Sequence, residues 1–340
     1  DALPGEFPFV RGNKKDSNVW YVRQNINLDV AGNATSKEIA KEANKKALDI
    51  LNKGIDSLGF KLKGDMVSKE TVETLLDGIY CDCIEINFAT CPRHSVELAE
   101  ILVAYFAKKG YDKEKVVGSI EFDPMAKMVM KGKDVSHLLP LTSHLLEILK
   151  EYPNFRCIAV SSDALNNAGA YIAQELGYAL AWGNEYLQQL TDAGVDVDLA
   201  AKSIKFNMGV SENYFMEIAK FRAARLLWAQ IVKQYVDDET QRHRDTEDYD
   251  CAKMCINATT STYNQTLFDS YVNLLRSQTE AMSAALGSVH SMVVTPFDAP
   301  YKESGDRSQE SGDFSERIAR NQQLIIKEES HFDRIVDPGA

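Results

Sequence analysis

Glu121 and Asp123 stand two apart in the run IEFDP. On an extended strand, residues at that spacing turn the same way. Two carboxylates so placed suit acid/base work; their other use is a hydrogen-bonded pair inside a filled core. Further polar residues close other apolar runs: Asn87 and Thr90, Ser161 to Asp163, Asn207, Asn257 with Thr259 and Thr260, Thr295 with Asp298, and Asp337. The histidines lie elsewhere. His94, His137, His144, His243 and His331 fall in helix-like or loop stretches, and His290 precedes a run at its amino end. The six cysteines include Cys81, Cys83 and Cys91 as C-x-C-x7-C, and Cys251 with Cys255. Neither group shows paired knuckles or nearby histidines, so no metal site is expected. Walker, G-x-G-x-x-G, H-E-x-x-H and G-x-S-x-G motifs are absent from the sequence.

The elements that must carry these residues form a repeated beat of short apolar run and helix-like stretch. The runs are Ile55–Leu62, Cys83–Ala89, Val116–Asp123, Phe155–Ser161, Ser203–Gly209, Lys253–Thr259, Ser291–Phe297 and Arg334–Asp337. Strands alternating with helices at this spacing predict an α/β fold, a (β/α)8 TIM-type barrel with function at the carboxyl ends of the runs. Residues 1–35 read as an extended N-terminal arm, and residues 36–340 as the barrel. Helical patterns begin at Ser36, a capping residue type, and recur over Val96–Lys109, Leu141–Lys150, Asn166–Leu190, Ser211–Tyr235 and Phe314–Ser330. Arg225 lies within an apolar stripe and is expected in a salt bridge. Tyr301–Asp313, with ESGD twice, reads as a solvated loop or a lid. A closing helix after the eighth run is missing from the sequence as read.

The chain of 340 residues is 44% hydrophobic and carries a net charge of −12. Its Lys and Arg are scattered, which argues against a nucleic-acid partner. No apolar run approaches the roughly 20 residues of a membrane span, and the N-terminus has no apolar signal core. The reading is a cytoplasmic chain with reduced thiols. In the arm, Pro4, Phe7, Pro8, Phe9 and Arg11 form a Pro-stiffened segment that either folds back or meets another chain.

The segments PGEFPFVRG (4–12), VWYVRQ (19–24), NAGA (167–170), ENYFMEIAKFRAARLLWA (212–229), TEAMSAALG (279–287), FSERIARNQQLIIKEESH (314–331) and VDPGA (336–340) resemble the barrel domain of the methylmalonyl-CoA mutase family. The resemblance spans nearly the whole chain. It implies a (β/α)8 barrel, followed in the family by a cobalamin-binding domain whose D-x-H-x-x-G motif is absent here. It also implies radical interconversion of methylmalonyl-CoA and succinyl-CoA, initiated by adenosylcobalamin.

The departures fall on substrate-facing positions. Asn25 stands where the family has a tyrosine after I-R-Q. Glu121 replaces a glutamine, and Lys131 falls near a substrate-binding arginine. Ala164 replaces the histidine that bonds the thioester carbonyl. Cys255 and Ala258 replace an arginine and a serine of the coenzyme A grip. Some family members are heterodimers whose small subunit keeps the barrel and loses the active site. The resemblance therefore implies such a non-catalytic subunit, binding no cofactor itself, with adenosylcobalamin held by a large catalytic partner and the arm among the contact surfaces. The alternatives are a mutase for a different acyl-CoA, built on Glu121, Asp123, Lys131 and Asp163, and a non-catalytic acyl-CoA-binding barrel.

Overall fold

A computed structural model describes residues 2–28, 34–240, 246–300 and 312–339, with backbone alone at 237–240, 246–248 and 312. Eight strands follow one another in chain order round a closed barrel. They are β1 (Tyr21–Asn27), β2 (Ser57–Lys61), β3 (Glu85–Ala89), β4 (Gly118–Phe122), β5 (Phe155–Ser161), β6 (Ile204–Val210), β7 (Cys255–Thr260) and β8 (Ser291–Val293). The helices are α1 (Ser36–Leu51), α2 (Lys69–Leu75), α3 (Ser95–Lys109), α4 (Pro124–Lys131), α5 (Leu141–Leu149) and α6 (Asp163–Asn167), then α7 (Ile172–Asp192), α8 (Val197–Ser203), α9 (Tyr214–Thr240), α10 (Val272–Leu286) and α11 (Gly312–Leu324). The chain divides into two compact units: Asp1–Val22, Ser161–Tyr186 and Phe206–Ala340 form unit 1, and Arg23–Val160 with Leu187–Lys205 form unit 2.

In unit 2, β2, β3 and β4 turn large apolar residues outward at every second position, with a register irregularity between Ser119 and Phe122 where β4 meets β5. Leu58, Phe60, Ile86, Phe88, Ile120 and Phe122 are all buried on the outward, helix-facing side, each contributing about 1.5–3 kcal/mol of apolar burial. The inward side carries Ser57, Gly59, Glu85, Asn87, Ser119 and Glu121. Parallel register sets Ser57 beside Glu85, Gly59 beside Asn87, and Asn87 beside Ser119. Helices α1, α2, α4 and α8 start where short polar side chains satisfy their free N–H groups. Thr35 and Glu38 form a reciprocal capping box on α1, a device worth about 1 kcal/mol. Asp123 caps α4, its Oδ1 accepting from Ala126 N at 3.0 Å, with Pro124 in the first turn.

In unit 1, α9 buries Phe221, Ala224, Trp228 and Val232, and the Trp228 ring meets Phe206 edge-on at 4.9 Å. The N-terminal segment packs on this same unit. Phe9 is buried, the Phe7 ring lies 4.8 Å from that of Tyr249, and Arg11 Nε donates to Asp337 Oδ2 at 2.7 Å.

The structure corrects several sequence readings. Residues Tyr21–Asn27, placed in the arm, form β1, and Arg334–Asp337, read as a strand, lies in none. The seventh run thus contains β8, and α11 follows it in the chain. Asn166–Leu190 is not one helix but parts of α6 and α7, separated at Gly169, whose φ of +97° lies in the left-handed region. The cap of α1 is Thr35, one residue before Ser36. Arg225 makes no salt bridge among the described residues: its Nη1 donates to Gly287 O at 2.7 Å and its Nε to Phe9 O at 3.3 Å. Burial pushes its pKa down to about 10, with repulsion from Arg222 adding to the effect. The loop Tyr301–Asp313 lies, through residue 311, outside the described residues, as does His243.

Candidate functional site: the mouth of unit 2

The carboxyl ends of β1 to β4 surround a recess of about 190 Å³, lined among others by Arg23, Asn25, Gly59, Lys61 and Glu121. Its floor is a continuous ion and hydrogen-bond network. Arg23 Nη2 donates to Glu121 Oε1 at 2.8 Å, and Arg23 Nε to Asn25 Oδ1 at 2.8 Å. Lys205 Nζ lies 3.9 Å from the same Glu121 oxygen and donates to Asn87 Oδ1 at 2.7 Å and Ser119 Oγ at 3.2 Å. Ser119 Oγ donates to Asn87 Oδ1 at 2.7 Å, while Asn87 Nδ2 reaches Glu85 Oε2 at 3.2 Å. Ser57 Oγ also donates to Glu85.

The sequence positions this network by strand alternation. Arg23 and Asn25 share the inner side of β1, Glu85 and Asn87 that of β3, and Ser119 and Glu121 that of β4. Gly59 provides the space for the guanidinium: a Cβ there would lie 2.8 Å from Arg23 Nη2 and 3.0 Å from its Nε. Burial by itself raises the pKa of Glu121. The charges of Arg23 and Lys205 and the Arg23 hydrogen bond outweigh that effect and hold the carboxyl below its ordinary value. The Glu121 carboxylate is therefore neutralised within the mouth, held by Arg23 and faced by Lys205.

The positions singled out in the sequence divide. Asn25 and Glu121 meet in this recess through Arg23. Lys131 is the exposed last residue of α4 and is not among the lining residues. Asp123 serves as the α4 cap rather than joining Glu121. In unit 1, Ala164 is half-buried in the first turn of α6. Cys255 is buried at the amino end of β7, and Ala258 is fully buried on the side of that strand opposite Asn257. Asn257 itself belongs to a second inner network, with Nδ2 donating to Asn207 Oδ1 at 3.2 Å and Oδ1 accepting from Ser291 Oγ at 2.9 Å. The arm residue Phe9 is turned into its own unit; Pro4, Phe7 and Pro8 are half-buried there.

Sequence reasoning missed Arg23 and Lys205, the two cations of the mouth. Lys205 had a signal in K-F-N-M-G, where polar residues hold every second position of an otherwise apolar strand; around Arg23 the run V-R-Q-N shows no such alternation. It also missed a buried cluster in unit 1. Lys220 Nζ lies 2.8 Å from Glu175 Oε2 and 2.5 Å from Glu217 Oε2, and donates to Gly209 O at 2.6 Å. Glu175 Oε1 accepts from Gly209 N at 2.6 Å, and Glu217 Oε1 from Ser211 N at 2.8 Å. Burial opposes the Lys220 charge, but the two carboxylates prevail and hold its pKa above the ordinary lysine value. The cluster ties the carboxyl end of β6 to α7 and α9. Among the described residues no group of His, Cys, Asp and Glu could hold a metal ion, and no helix is long and apolar enough to cross a membrane.

Comparison with known proteins places this barrel. A sequence profile described as methylmalonyl-CoA mutase matches residues 1–340. The methylmalonyl-CoA mutase small subunit of Porphyromonas gingivalis is 48% identical over 339 residues, covering 100% of this chain and 51% of the relative. The small subunit of the Streptomyces virginiae enzyme is 31% identical over 342 residues, again covering 51% of the relative. The large subunit from that organism is 29% identical over 360 residues, covering 46% of its length. The chain spans about half the length of these relatives. With the profile matched from end to end and eight parallel strands closed in chain order, the chain belongs to the methylmalonyl-CoA mutase family.

Proposed function

We propose that this chain is the barrel of the small, non-catalytic subunit of a heterodimeric methylmalonyl-CoA mutase, and that it serves as structural partner to a large catalytic subunit. The observation that carries the reading is the Arg23–Glu121 pair in the mouth of unit 2, at 2.8 Å. A catalytic barrel keeps its charged groups available to substrate at this end; here they are bonded to one another. The recess left over, about 190 Å³, falls below the roughly 300–1,000 Å³ typical of small-molecule sites. An acyl-CoA brought there would also meet the Glu121 carboxylate, a like charge to its own carboxylate.

The family's cofactor, adenosylcobalamin, supplies radical initiation by homolysis of its cobalt–carbon bond where it is bound. The residues of this mouth do not fit it, since the recess is smaller than the corrin ring and Glu121 already engages Arg23 there. In this reading the large subunit carries the cofactor and the reaction, and this chain is cytoplasmic with its partner. Two replacements support the same view: Ala164 offers a methyl group where the family has a hydrogen-bond donor, and Cys255 is a buried thiol where it has a guanidinium. The partner meets outer helices together with the still accessible surface of Pro4, Phe7 and Pro8; Phe9 and Arg11 hold the segment in place. A mutase built on Glu121, Asp123, Lys131 and Asp163 is disfavoured, because the first three are engaged separately by Arg23, by the α4 amino end and by solvent, and Asp163 opens the first turn of α6.

Native mass spectrometry of the full-length protein, purified gently from its source, tests the reading, with turnover assayed on the same fractions. A one-to-one complex with a larger chain, and no turnover by this chain alone with adenosylcobalamin supplied, is expected. A homodimer or monomer that isomerises an acyl-CoA would overturn it.

A further inference from the structure

Arg23 is 5% exposed. Its Nε and Nη2 are bonded to Asn25 and Glu121, yet its buried Nη1 has no hydrogen-bond partner among the described residues. Buried guanidinium N–H groups ordinarily find acceptors, and a carboxylate meets the guanidinium best as a fork through two parallel N–H donors. Glu121 engages Arg23 through one oxygen, the oxygen that also faces Lys205. The adjoining recess of about 190 Å³ has room for several waters at about 30 Å³ each, or for a small ion. The absence of a side chain at Gly59 leaves room for Nη2 and Nε of Arg23, and Lys61 stands exposed at the rim.

We propose that the mouth of unit 2 is a small-carboxylate site whose occupant is the chain's own Glu121, so that an internal side chain stands where a free anion of a few atoms would bind Arg23 and Lys205. The ligand class follows from the dimensions. Two buried cations, two amide side chains and a recess of this size suit a short-chain carboxylate such as acetate, and exclude a coenzyme A ester. Glu121 thus closes the site by occupying it, and removing its carboxylate opens the site. The proposal deepens the non-catalytic reading of the mouth and rests on it.

The test is chemical rescue of the full-length protein by acetate. Thermal unfolding and isothermal titration are followed for the unaltered chain, Glu121→Ala and Glu121→Ala with Arg23→Met, against chloride at equal ionic strength. Acetate is expected to raise the Tm of Glu121→Ala by several degrees beyond chloride, and to bind it at least tenfold more tightly than it binds the unaltered chain. The Arg23→Met double variant is expected to lose both effects. Should Glu121→Ala fail to fold in chloride, acetate restores folding. No gain over chloride, no restoration, or a gain that survives loss of Arg23 overturns the proposal. Turnover of an acyl-CoA by the unaltered chain would instead overturn the non-catalytic reading, so the two failures are told apart.

Discussion

Glu121 Oε1 accepts a hydrogen bond from Arg23 Nη2 at 2.8 Å, a contact between β4 and β1 that joins residues 98 apart in sequence. The Glu121 side chain is 17% exposed and that of Arg23 is 5% exposed. Removing one member of such a pair strands the other with its desolvation uncompensated. Arg23→Met and Glu121→Gln should each lower stability by about 2–4 kcal/mol in urea titrations, and the double variant by less than the sum. Additive losses would mean that the two side chains are not coupled. Because the Glu121 pKa is lower in the folded chain than in the unfolded one, its contribution is present above the unfolded value and is lost as pH falls through the folded value. Glu121→Gln should therefore flatten the acid limb of the stability profile and leave the slope at neutral pH unchanged.

Glu280 titrates in the opposite sense. It is 1% exposed, and burial pushes its carboxyl up to about 8. Asn264 Nδ2 donates to one oxygen at 2.6 Å, while the other has no partner among the described residues. From the ordinary carboxyl value up to about pH 8 the folded chain holds a proton that the unfolded chain releases, so stability falls as pH rises across that window. Glu280→Gln keeps the shape and the Asn264 contact without the titration. It should match the parent near pH 4.5 and exceed it by more than 1 kcal/mol at pH 8. Parallel profiles for the two proteins would show that Glu280 is ionised in the fold.

Lys220 is enclosed by Glu175 and Glu217 with all three side chains fully buried. Lys220→Met leaves two carboxylates facing each other without a counter-ion. It should cost about 3–5 kcal/mol, far more than the loss from an exposed pair such as Lys37–Glu70. Equal losses for the two sites in denaturant titrations would contradict the clamp role assigned to the cluster.

The backbone at β2 is matched to the Arg23 side chain. An alanine at Gly59 would bring its Cβ within 2.8 Å of Arg23 Nη2 and crowd Asn25 as well. Gly59→Ala should destabilise by about 1–3 kcal/mol, in the range of overpacking, and the loss should shrink in an Arg23→Met background. An unchanged loss there would show that the strain comes from Asn25, whose Oδ1 would lie 2.0 Å from the added Cβ.

The barrel was legible wherever a strand turned two or more large apolar residues outward, as with Leu58 and Phe60, Ile86 and Phe88, and Ile120 and Phe122. β1 was not, because its inner side carries Arg23 and Asn25 and its outer side includes Gln24, which dilutes the apolar signal. Arg334–Asp337 misled in the opposite way. Ile335 and Val336 imitate a short strand, whereas the segment brings Asp337 to Arg11 and Arg222. Glu121 and Asp123 do not share a strand: β4 ends at Phe122 and Asp123 caps α4, and sequence spacing cannot tell a carboxylate that caps a helix from one that meets an arginine 98 residues away. The partners of Arg225 are backbone carbonyls, which carry no residue-type signature at all.

The central claim, that this barrel does not accept substrate, is tested most directly by counting coenzyme A esters bound at equilibrium to the proposed heterodimer. One site per heterodimer, unchanged when Arg23 is replaced in this chain, is the predicted result. Two sites per heterodimer, one of them lost with Arg23→Met, would contradict the account and show that this mouth binds acyl-CoA.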